Sequence, residues 1–443
     1  METPDYSGKK ILFTAFSVAD GSEEVAGYEF VKRHGATDIT TLYWGDEEYA
    51  AKIPEDVKKI RVDGNNKFDP EVTKGYDLVF RHQTTRPDLI LSPTTTNTNE
   101  FFKFCDSPIV AVTGTKGKGT TSTLISEILD QAGVANRLLG NMGNTAIREL
   151  DDLEDDEVVV FEISSFQLWD LEYSPQVAVV LMMGVDHQDV HNSVEEYIQA
   201  KGNITNFQTA EDIVVYHPEN EMTAEVVGTP NGRAKRYLTD EGAHIADNKI
   251  MIDGAEIMWV EQVGLQGPHN LENVAAAITA AWEFTQDTSA ISTAVAEFGG
   301  LEHRLELVRE YNGIRFFNDS FSAAPVAAMA AVNAFDEPVS VILGGYDKGN
   351  TFEELAAAVK EAGVHKAVLI GETREMIAAS LDEVGFEAYQ TTDTTSMDAI
   401  VGLAAQEMPE NSIVLLSPGC ASFDMFENYK DRGNQFKDAV SRL

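Results

Sequence analysis

The stretch AVTGTKGKGTTSTLISEIL, residues 111–129, decides how the chain is organised. An apolar run comes first, a glycine-rich turn follows, and a helical pattern completes the motif. Gly114 and Gly117 allow backbone N–H groups to approach phosphate oxygens, and Lys118 adds a cation beside a helix N-terminus. This order predicts a site for the phosphates of a nucleoside triphosphate, and a glycine-rich turn that binds no ligand is the alternative.

The spacing of this loop is shorter than that of the common phosphate-binding loop. The chain has G-x-x-G-K instead of G-x-x-x-x-G-K-[ST], and Gly119 occupies the place of the hydroxyl that binds Mg²⁺. We expect Thr120 or Thr121 to supply that hydroxyl. The candidate phosphate-binding residues are Gly114, Thr115, Lys116, Gly117, Lys118, Gly119, Thr120 and Thr121.

Short apolar runs alternate with helical patterns on both sides of this motif, which is typical of parallel sheets covered by helices. The further strand-like runs are residues 10–17, 39–44, 76–80, 157–163, 177–184, 212–216, 314–318, 339–343, 367–370 and 412–416, with a hairpin-like patch over 233–260. We therefore predict an α/β protein of three domains. They are a Rossmann-like domain over residues 1–96, a central P-loop ATPase with a mainly parallel sheet over 97–300, and a second Rossmann-like domain over 301–443.

Composition excludes several classes of function. The 73 Asp and Glu against 33 Lys and Arg give a net charge of −40, which repels nucleic acid and anionic membrane surfaces. Two cysteines, Cys105 and Cys420, argue against a disulfide framework or a cysteine-based zinc site. Because no apolar run reaches the ~18 residues of a membrane-spanning helix, we expect a cytoplasmic protein without membrane partners.

Polar residues follow two later strands of the central domain. Glu162 ends one strand, and DHQDVH, residues 186–191, follows the next. Open α/β sheets bind ligands at the carboxyl ends of their strands, so Glu162 and His187 are candidate Mg²⁺ ligands. Lys201 lies on a predicted helix that could fold back across this edge. The alternatives are a strand-end acid that caps a helix, a structural role for His191, and a surface lysine.

The last domain offers further candidates at its strand ends. Arg304 follows the joint between domains, where a guanidinium can reach phosphates. Asp319 ends a strand and is a candidate for a ribose hydroxyl, while Lys348 lies in GGYDKG, a candidate anion site whose alternative is a simple turn. Ser422 lies in a loop rich in small residues. Cys420 in that loop is interpreted as a small buried thiol, because no motif couples it to a histidine.

In this order, GTKGKGTT, EISSFQL, DH with a downstream lysine, GPHNLENV, EHR, NDS and GGYDKG resemble the motifs of the Mur ligase family of ATP-dependent amide-forming enzymes. The resemblance covers most of the chain. EISSFQL (162–168) and LLSPGCASFDMFENYKDRGNQF (415–436) are similar to the D-glutamate-adding branch. The family's three domains hold a UDP-sugar, ATP and the incoming amino acid, in that order.

The resemblance implies ATP and Mg²⁺ as cofactors and a role for each matching residue. Its implied catalytic residues are Lys118, His187, Lys201 and Lys348, and its implied metal ligands are Thr120, Glu162, His187 and Lys201, with Lys201 carbamylated so that it binds metal as a carboxylate. Asn270 and Asn273 match positions near the adenine, and Arg304 and Asp319 match positions on the phosphates and ribose. Lys348, Ser422, Phe423 and Tyr429 match positions around D-glutamate.

The implied reaction adds D-glutamate to UDP-N-acetylmuramoyl-L-alanine through an acyl phosphate, in peptidoglycan precursor synthesis, by a monomer. The alternatives are the same chemistry with another amino acid or a folate-type acceptor, and a nucleotide-binding protein without ligase activity. Three departures from the family keep these open: Gly119, FSAAP (321–325) where a lysine and a threonine are usual, and RHQTTRP (81–87) where a serine-proline-glycine loop is typical.

Overall fold

The computed structural model describes residues 3–17, 22–141, 145–154, 156–186, 190–265, 267–347 and 350–443. His187 and Lys348 lie outside these residues. The chain forms two compact units, Met1–Phe298 and Gly299–Leu443. Their sheets are mainly parallel, which confirms the predicted α/β class.

The first sheet has five parallel strands in the order β3-β2-β1-β4-β5. Its elements are β1 (Lys10–Phe13), α1 (Glu23–Arg33), β2 (Asp38–Tyr43), α2 (Glu47–Lys52), β3 (Lys58–Arg61), β4 (Leu78–Phe80) and β5 (Thr94–Thr95), with 3₁₀ turns at Pro70–Thr73 and Pro87–Leu89.

The second sheet has six parallel strands in the order β11-β10-β9-β6-β8-β7. Its elements are α3 (Asn97–Phe104), β6 (Ile109–Thr113), α4 (Lys118–Gln131), β7 (Asn136–Gly140), α5 (Ala146–Glu149), a 3₁₀ turn (Leu150–Asp152), β8 (Val158–Glu162), α6 (Ser165–Leu168), β9 (Val177–Val180), α7 (Val194–Asn206), β10 (Ile213–Tyr216), α8 (Glu221–Val227) and β11 (Arg233–Arg236).

A small antiparallel sheet and two helices complete the first unit. They are β12 (His244–Ala246), β13 (Lys249–Ile252), β14 (Ala255–Trp259), a 3₁₀ turn (Val260–Gln262), α9 (Pro268–Ala281) and α10 (Thr288–Glu297). The expectation of a hairpin-like patch over 233–260 is wrong for its first part. Arg233–Arg236 pairs in parallel with β10 and extends the second sheet, and antiparallel pairing begins only at β12.

The second unit contains six strands in the order β15-β16-β20-β17-β18-β19, with only the β15–β16 pair antiparallel. Its elements are β15 (Glu306–Tyr311), β16 (Ile314–Asn318), α11 (Pro325–Val332), β17 (Val339–Gly344), α12 (Glu353–Glu361), β18 (Lys366–Ile370), α13 (Arg374–Glu383), β19 (Tyr389–Thr391), α14 (Met397–Ala405), β20 (Ser412–Leu416) and α15 (Tyr429–Ser441).

Central strands carry the core of each unit. Every residue of β6, β8 and β9 is buried, because helices cover both faces of the sheet. One apolar cluster runs from Tyr6 in the first sheet region to Val227 at the end of α8, so the first two sheets share a core. Within the described part of the chain, no helix has both the length and the apolar character needed to cross a membrane.

Candidate active site

The glycine-rich loop joins β6 to α4 through two residues that require glycine. Gly114 has φ +155° and Gly117 has φ +84°, both in the region that favours glycine. A Cβ on Gly117 would lie 2.2 Å from Asn273 Oδ1, and one on Gly114 would lie 2.7 Å from Leu181 Cβ. Gly117 caps α4, so this helix begins at Lys118. The N–H groups of its first turn therefore face the loop, as an anion site requires.

Side chains hold the loop in place. The Lys118 ammonium donates to the carbonyls of Gly114 and Thr115, each at 3.1 Å. Thr115 Oγ1 accepts from the Gly184 amide at 2.8 Å and lies 3.0 Å from the Gly184 carbonyl and 3.1 Å from the Tyr197 hydroxyl. Thr115 thereby connects the loop to the segment that follows β9.

The remaining loop candidates differ in exposure. Lys116 is exposed, Thr120 is half-buried, and Gly119 and Thr121 are buried at the start of α4. Of the two proposed replacements for the missing hydroxyl, Thr120 has the more accessible side chain. It follows Gly119 directly on the first turn of the helix.

The structure brings the two predicted adenine residues to the rim of the loop. Asn270 and Asn273 lie on the first turns of α9. Asn273 Nδ2 donates to Asn270 Oδ1 at 3.2 Å, and Thr121 Oγ1 lies 3.5 Å from Asn273 Oδ1. Because Asn273 also packs over Gly117, these amides border the candidate phosphate loop.

Lys201 and Glu162 meet at the carboxyl edge of the second sheet. Lys201, on α7, is 2% exposed, and its Nζ donates to Thr113 Oγ1 at 2.9 Å and to the Gly114 carbonyl at 3.1 Å. Glu162, at the end of β8, is also buried. Burial and, to a lesser degree, Lys118 hold the pKa of Lys201 well below its usual value, while Asp186 and Glu162 oppose that shift.

The oxygen donors at this edge fit Mg²⁺. Glu162 and Asp186 offer carboxylates, and Thr120 offers a hydroxyl. Among the described residues, no three His, Cys, Asp or Glu side chains form a metal cage. Mg²⁺ does not need one, because it usually keeps several waters and is held by one or two carboxylates together with substrate phosphates.

In the second unit, Asp319 connects the loops that follow β16 and β20 by hydrogen bonds. Its buried carboxylate accepts hydrogen bonds from Ser417 Oγ at 2.7 Å, from Ser322 Oγ and from the Leu305 amide at 3.2 Å. Burial raises the pKa of Asp319, and these hydrogen bonds and Arg304 act against that shift. A further hydrogen bond from a ribose hydroxyl would join a set of donors that is already in place.

Arg304 is held by aromatic side chains. Its guanidinium lies 4.0 Å from the centre of the Phe321 ring, and Phe321 meets Tyr429 edge-to-face at 5.1 Å. Phe321 is a position at which we expected the sequence to depart from the family, and its ring supports a cation in this structure. Phe423 is 61% exposed and contacts Tyr346 edge-to-face at 6.2 Å, whereas Ser422 is buried.

Arg432 is a buried cation that sequence reasoning missed. It is 1% exposed and donates to Ser320 Oγ at 2.9 Å, to the Ser320 carbonyl at 2.8 Å and to the Cys420 carbonyl at 3.0 Å. Burial lowers its pKa to about 10. The arginine joins the loops after β16 and β20, both of which carry candidate substrate residues. Its helical spacing from the buried Phe436 and Val440 on α15 is the signal that would have revealed it.

Cys420 is a buried thiol, as predicted. It lies 3.3 Å from Thr373 Oγ1, and burial raises its pKa, so the thiolate form is disfavoured.

Known proteins resemble the chain in both sequence and fold. Residues 112–281 match the Mur ligase middle domain, and residues 303–420 match the Mur ligase glutamate ligase domain. The chain is 32% identical to a UDP-N-acetylmuramoylalanine–D-glutamate ligase of Clostridium botulinum (strain Langeland) and 37% identical to one of Acetivibrio thermocellus, covering 94% of this chain and 93% of each relative. The fold matches UDP-N-acetylmuramate-alanine ligase MurC of Thermotoga maritima with a TM-score of 0.54 and 19% identity, covering 98% of this chain and 99% of that structure.

Proposed function

Because the chain belongs to the Mur ligase family, we propose that it is an ATP-dependent, ADP-forming ligase that adds D-glutamate to UDP-N-acetylmuramoyl-L-alanine in peptidoglycan precursor synthesis. The observation that carries the proposal is that Lys118 and Lys201 both donate to the Gly114 carbonyl, at the sheet edge where the buried Glu162 ends β8. A cationic loop beside a buried carboxylate is what transfer of a phosphoryl group between anions needs.

In the proposed reaction, the acceptor carboxylate attacks the γ-phosphorus of ATP, ADP leaves, and an acyl phosphate forms. The amine of D-glutamate then attacks the acyl carbon, loses a proton and displaces inorganic phosphate. The amides of the loop and the Lys118 ammonium would bind the phosphates. Thr120, Glu162, His187 and the carbamate of Lys201, with Asp186 beside them, are the residues that would hold Mg²⁺, which neutralises phosphate charge when bound.

We propose that Lys201 is carbamylated. Burial favours its neutral amine, which is the form that adds to carbon dioxide, and Lys118 beside it would stabilise the resulting carboxylate. A new ¹³C carbamate resonance is expected when the protein is equilibrated with ¹³C-bicarbonate, and its presence in Lys201→Met would contradict the assignment.

The three-domain division is part of the proposal. Residues 1–96 would hold the UDP-sugar, 97–300 would hold ATP, and 301–443 would hold the amino acid. Arg304 would contact the transferring phosphoryl group and Asp319 the ribose, while Lys348, Ser422, Phe423 and Tyr429 would surround D-glutamate. We expect a monomer in the cytoplasm, where ATP and UDP-linked precursors are available.

Another amino acid as substrate is the second candidate. Phe321 and Ala323 stand where the family has a lysine and a threonine, so two polar contacts to the amino acid are absent from this sequence. A neutral or aromatic side chain would fit this composition better than a second carboxylate.

Phosphate release by the purified protein tests both candidates. ATP, Mg²⁺ and UDP-N-acetylmuramoyl-L-alanine are supplied with D-glutamate, L-glutamate or other amino acids, and the mass of the product is measured. Release with D-glutamate alone, and a product heavier by one glutamyl residue, is the expected result. Lys118→Met should abolish release, whereas Lys103→Met, at an exposed position on α3, should not. ATP binding without release for any amino acid would contradict both candidates.

A further inference from the structure

Arg81, directly after β4, makes an unusually complete set of hydrogen bonds. Its side chain is 0% exposed and pairs with Asp170 through two bonds, Nε to Oδ2 at 2.9 Å and Nη2 to Oδ1 at 2.6 Å. Its Nη1 donates to the carbonyls of His82 at 3.0 Å, Gln83 at 2.8 Å and Thr85 at 2.7 Å. One side chain thus fixes the loop of residues 82–86 and connects that loop to the second sheet.

Asp170 and Glu162 lie on one short, hydrogen-bonded segment of the chain. The segment between them starts with the Ile163 amide, which donates to the Val112 carbonyl of β6 at 3.0 Å. Ser164 then caps α6 by a reciprocal pair of bonds with Gln167. Because α6 ends only two residues before Asp170, the carboxylate that binds Arg81 and the candidate metal ligand belong to one short, capped segment.

Arg86, at the other end of the loop, donates hydrogen bonds to Val190, which follows β9 in the chain, and to α7. Its Nη1 donates to the Val190 carbonyl at 3.1 Å and its Nη2 to Glu196 Oε1 at 3.3 Å. Val190 follows the segment that starts at Asp186, and Glu196 lies on α7, which also carries Lys201. Trp169 is a neighbour of both arginines. The centre of its ring lies 5.9 Å from the Arg81 guanidinium and 5.4 Å from the Arg86 guanidinium.

This loop is the RHQTTRP departure from the family, and its first residues, Arg81 to Gln83, line a small cavity of about 20 Å³ at the carboxyl edge of the first sheet. In the proposed function, the acceptor must stretch from a nucleotide held by the first sheet to the phosphoryl group at the second. We propose that Arg81, assisted by Arg86, is a positioning residue that sets this distance by holding loop 82–86 against the segments that carry Glu162 and Lys201. The inference rests on the proposed function.

The expected signature is a selective loss of acceptor use. A displacement of about 1 Å between reacting groups can lower a rate by about 100-fold. None of the hydrogen bonds of Arg81 reaches the phosphate loop, so nucleotide binding should not change. We therefore expect Arg81→Met and Asp170→Asn to lower kcat/KM for the acceptor by about 10- to 100-fold and to leave the affinity for Mg-ADP unchanged. Arg81→Lys keeps the charge but loses the bidentate geometry, so its loss should be intermediate.

Arg137 provides a matched control in the same unit. It also makes a bidentate pair, with Glu157 at 2.9 Å and 3.1 Å, and a third contact with Glu149 at 2.8 Å. This pair lies at the amino ends of β7 and β8, away from the carboxyl edge that carries the candidate site. Arg137→Met should lower the melting temperature without changing the KM of the acceptor. Arg86→Met is the second test variant, because Arg86 is 18% exposed and its loss is less of a risk to folding.

The experiment measures kcat and KM for each substrate, Mg-ADP affinity by calorimetry, and the melting temperature of every variant. Selective loss of acceptor use in the Arg81, Arg86 and Asp170 variants supports the inference. Unchanged acceptor kinetics in folded variants, or an equal loss in Arg137→Met, would overturn it while leaving the proposed function intact. If the wild-type protein itself has no acceptor-dependent turnover, the proposed function fails instead.

Discussion

Replacing Gly117 by alanine tests the geometry of the phosphate loop. Gly117 has φ +84° and ψ −11°, a conformation that costs an alanine roughly 1 kcal/mol. The new Cβ would lie 2.2 Å from Asn273 Oδ1, so the amide must move. That movement sacrifices the 3.2 Å bond between Asn273 and Asn270 and the contact with Thr121, about 1 kcal/mol in all. We expect the free energy of unfolding to fall by about 2 kcal/mol in total.

Gly133→Ala, just beyond the other end of α4, is the control that separates the conformational cost of alanine from the cost of moving Asn273. Its φ is +71°, and a Cβ there would meet nothing within 4 Å. Gly133→Ala should therefore carry the conformational cost alone, about 1 kcal/mol. Urea unfolding at a common m-value gives both losses, and calorimetry with Mg-ADP gives the effect on binding. The displaced Asn273 should weaken nucleotide binding about tenfold in Gly117→Ala and leave it unchanged in Gly133→Ala.

The combination Gly117→Ala with Asn273→Ala completes the test. Removing the amide relieves the overlap, so the double variant should be more stable than the sum of the two single losses predicts. Strictly additive losses, or equal losses in Gly117→Ala and Gly133→Ala, would refute the argument that Asn273 is wedged against the loop.

Two further predictions concern the second unit. Burial lowers the pKa of His303 below its usual 6.5, and Asn318 Nδ2 donates to its ring at 2.8 Å, so the folded protein resists a proton that the unfolded chain accepts. The free energy of unfolding should fall as the pH decreases through about 6.5, and His303→Gln should flatten that dependence in urea titrations. Gly433→Ala should destabilise the fold despite the higher helix propensity of alanine, because its Cβ would lie 2.2 Å from His303 Nδ1, whereas Gly402→Ala, with nothing within 4 Å, should stabilise α14 by up to about 1 kcal/mol. Thermal unfolding checks the two signs.

The strands that the sequence predicts well are the ones buried on both faces. Val158–Glu162 and Ser412–Leu416 lie within the predicted runs, because a strand covered by helices consists of an uninterrupted apolar segment or nearly so. This argument does not apply to edge strands. Arg233–Arg236 is a mostly exposed basic segment, and Glu306–Tyr311 mixes charged and apolar residues without a regular period. Their place in a sheet is shown by their pairing with a neighbouring strand.

The candidate site divides in the same way. Glu162 and the phosphate loop could be placed together from sequence, since parallel strands bring their carboxyl ends to one edge. The pairing of Arg81 with Asp170 could not, because the residues are 89 positions apart and neither has a pattern that distinguishes it from a surface charge. Burial of a charge becomes predictable only when its partners are known, since an unpaired charge in the interior would not be tolerated.

Arg81 and Phe321, two positions at which we expect the sequence to depart from the family, both take part in contacts of arginine side chains. In the first unit, Arg81 begins the RHQTTRP loop and donates hydrogen bonds to three carbonyls of its own turn. In the second, the ring of Phe321 supports the Arg304 guanidinium, which lies 4.0 Å from the ring centre. Each of these side chains therefore has a specific set of contacts within its own unit. Acceptor kinetics of Arg81→Lys and Phe321→Leu test whether those contacts position the substrate, because a purely structural role would change the melting temperature and leave the KM of the acceptor unchanged.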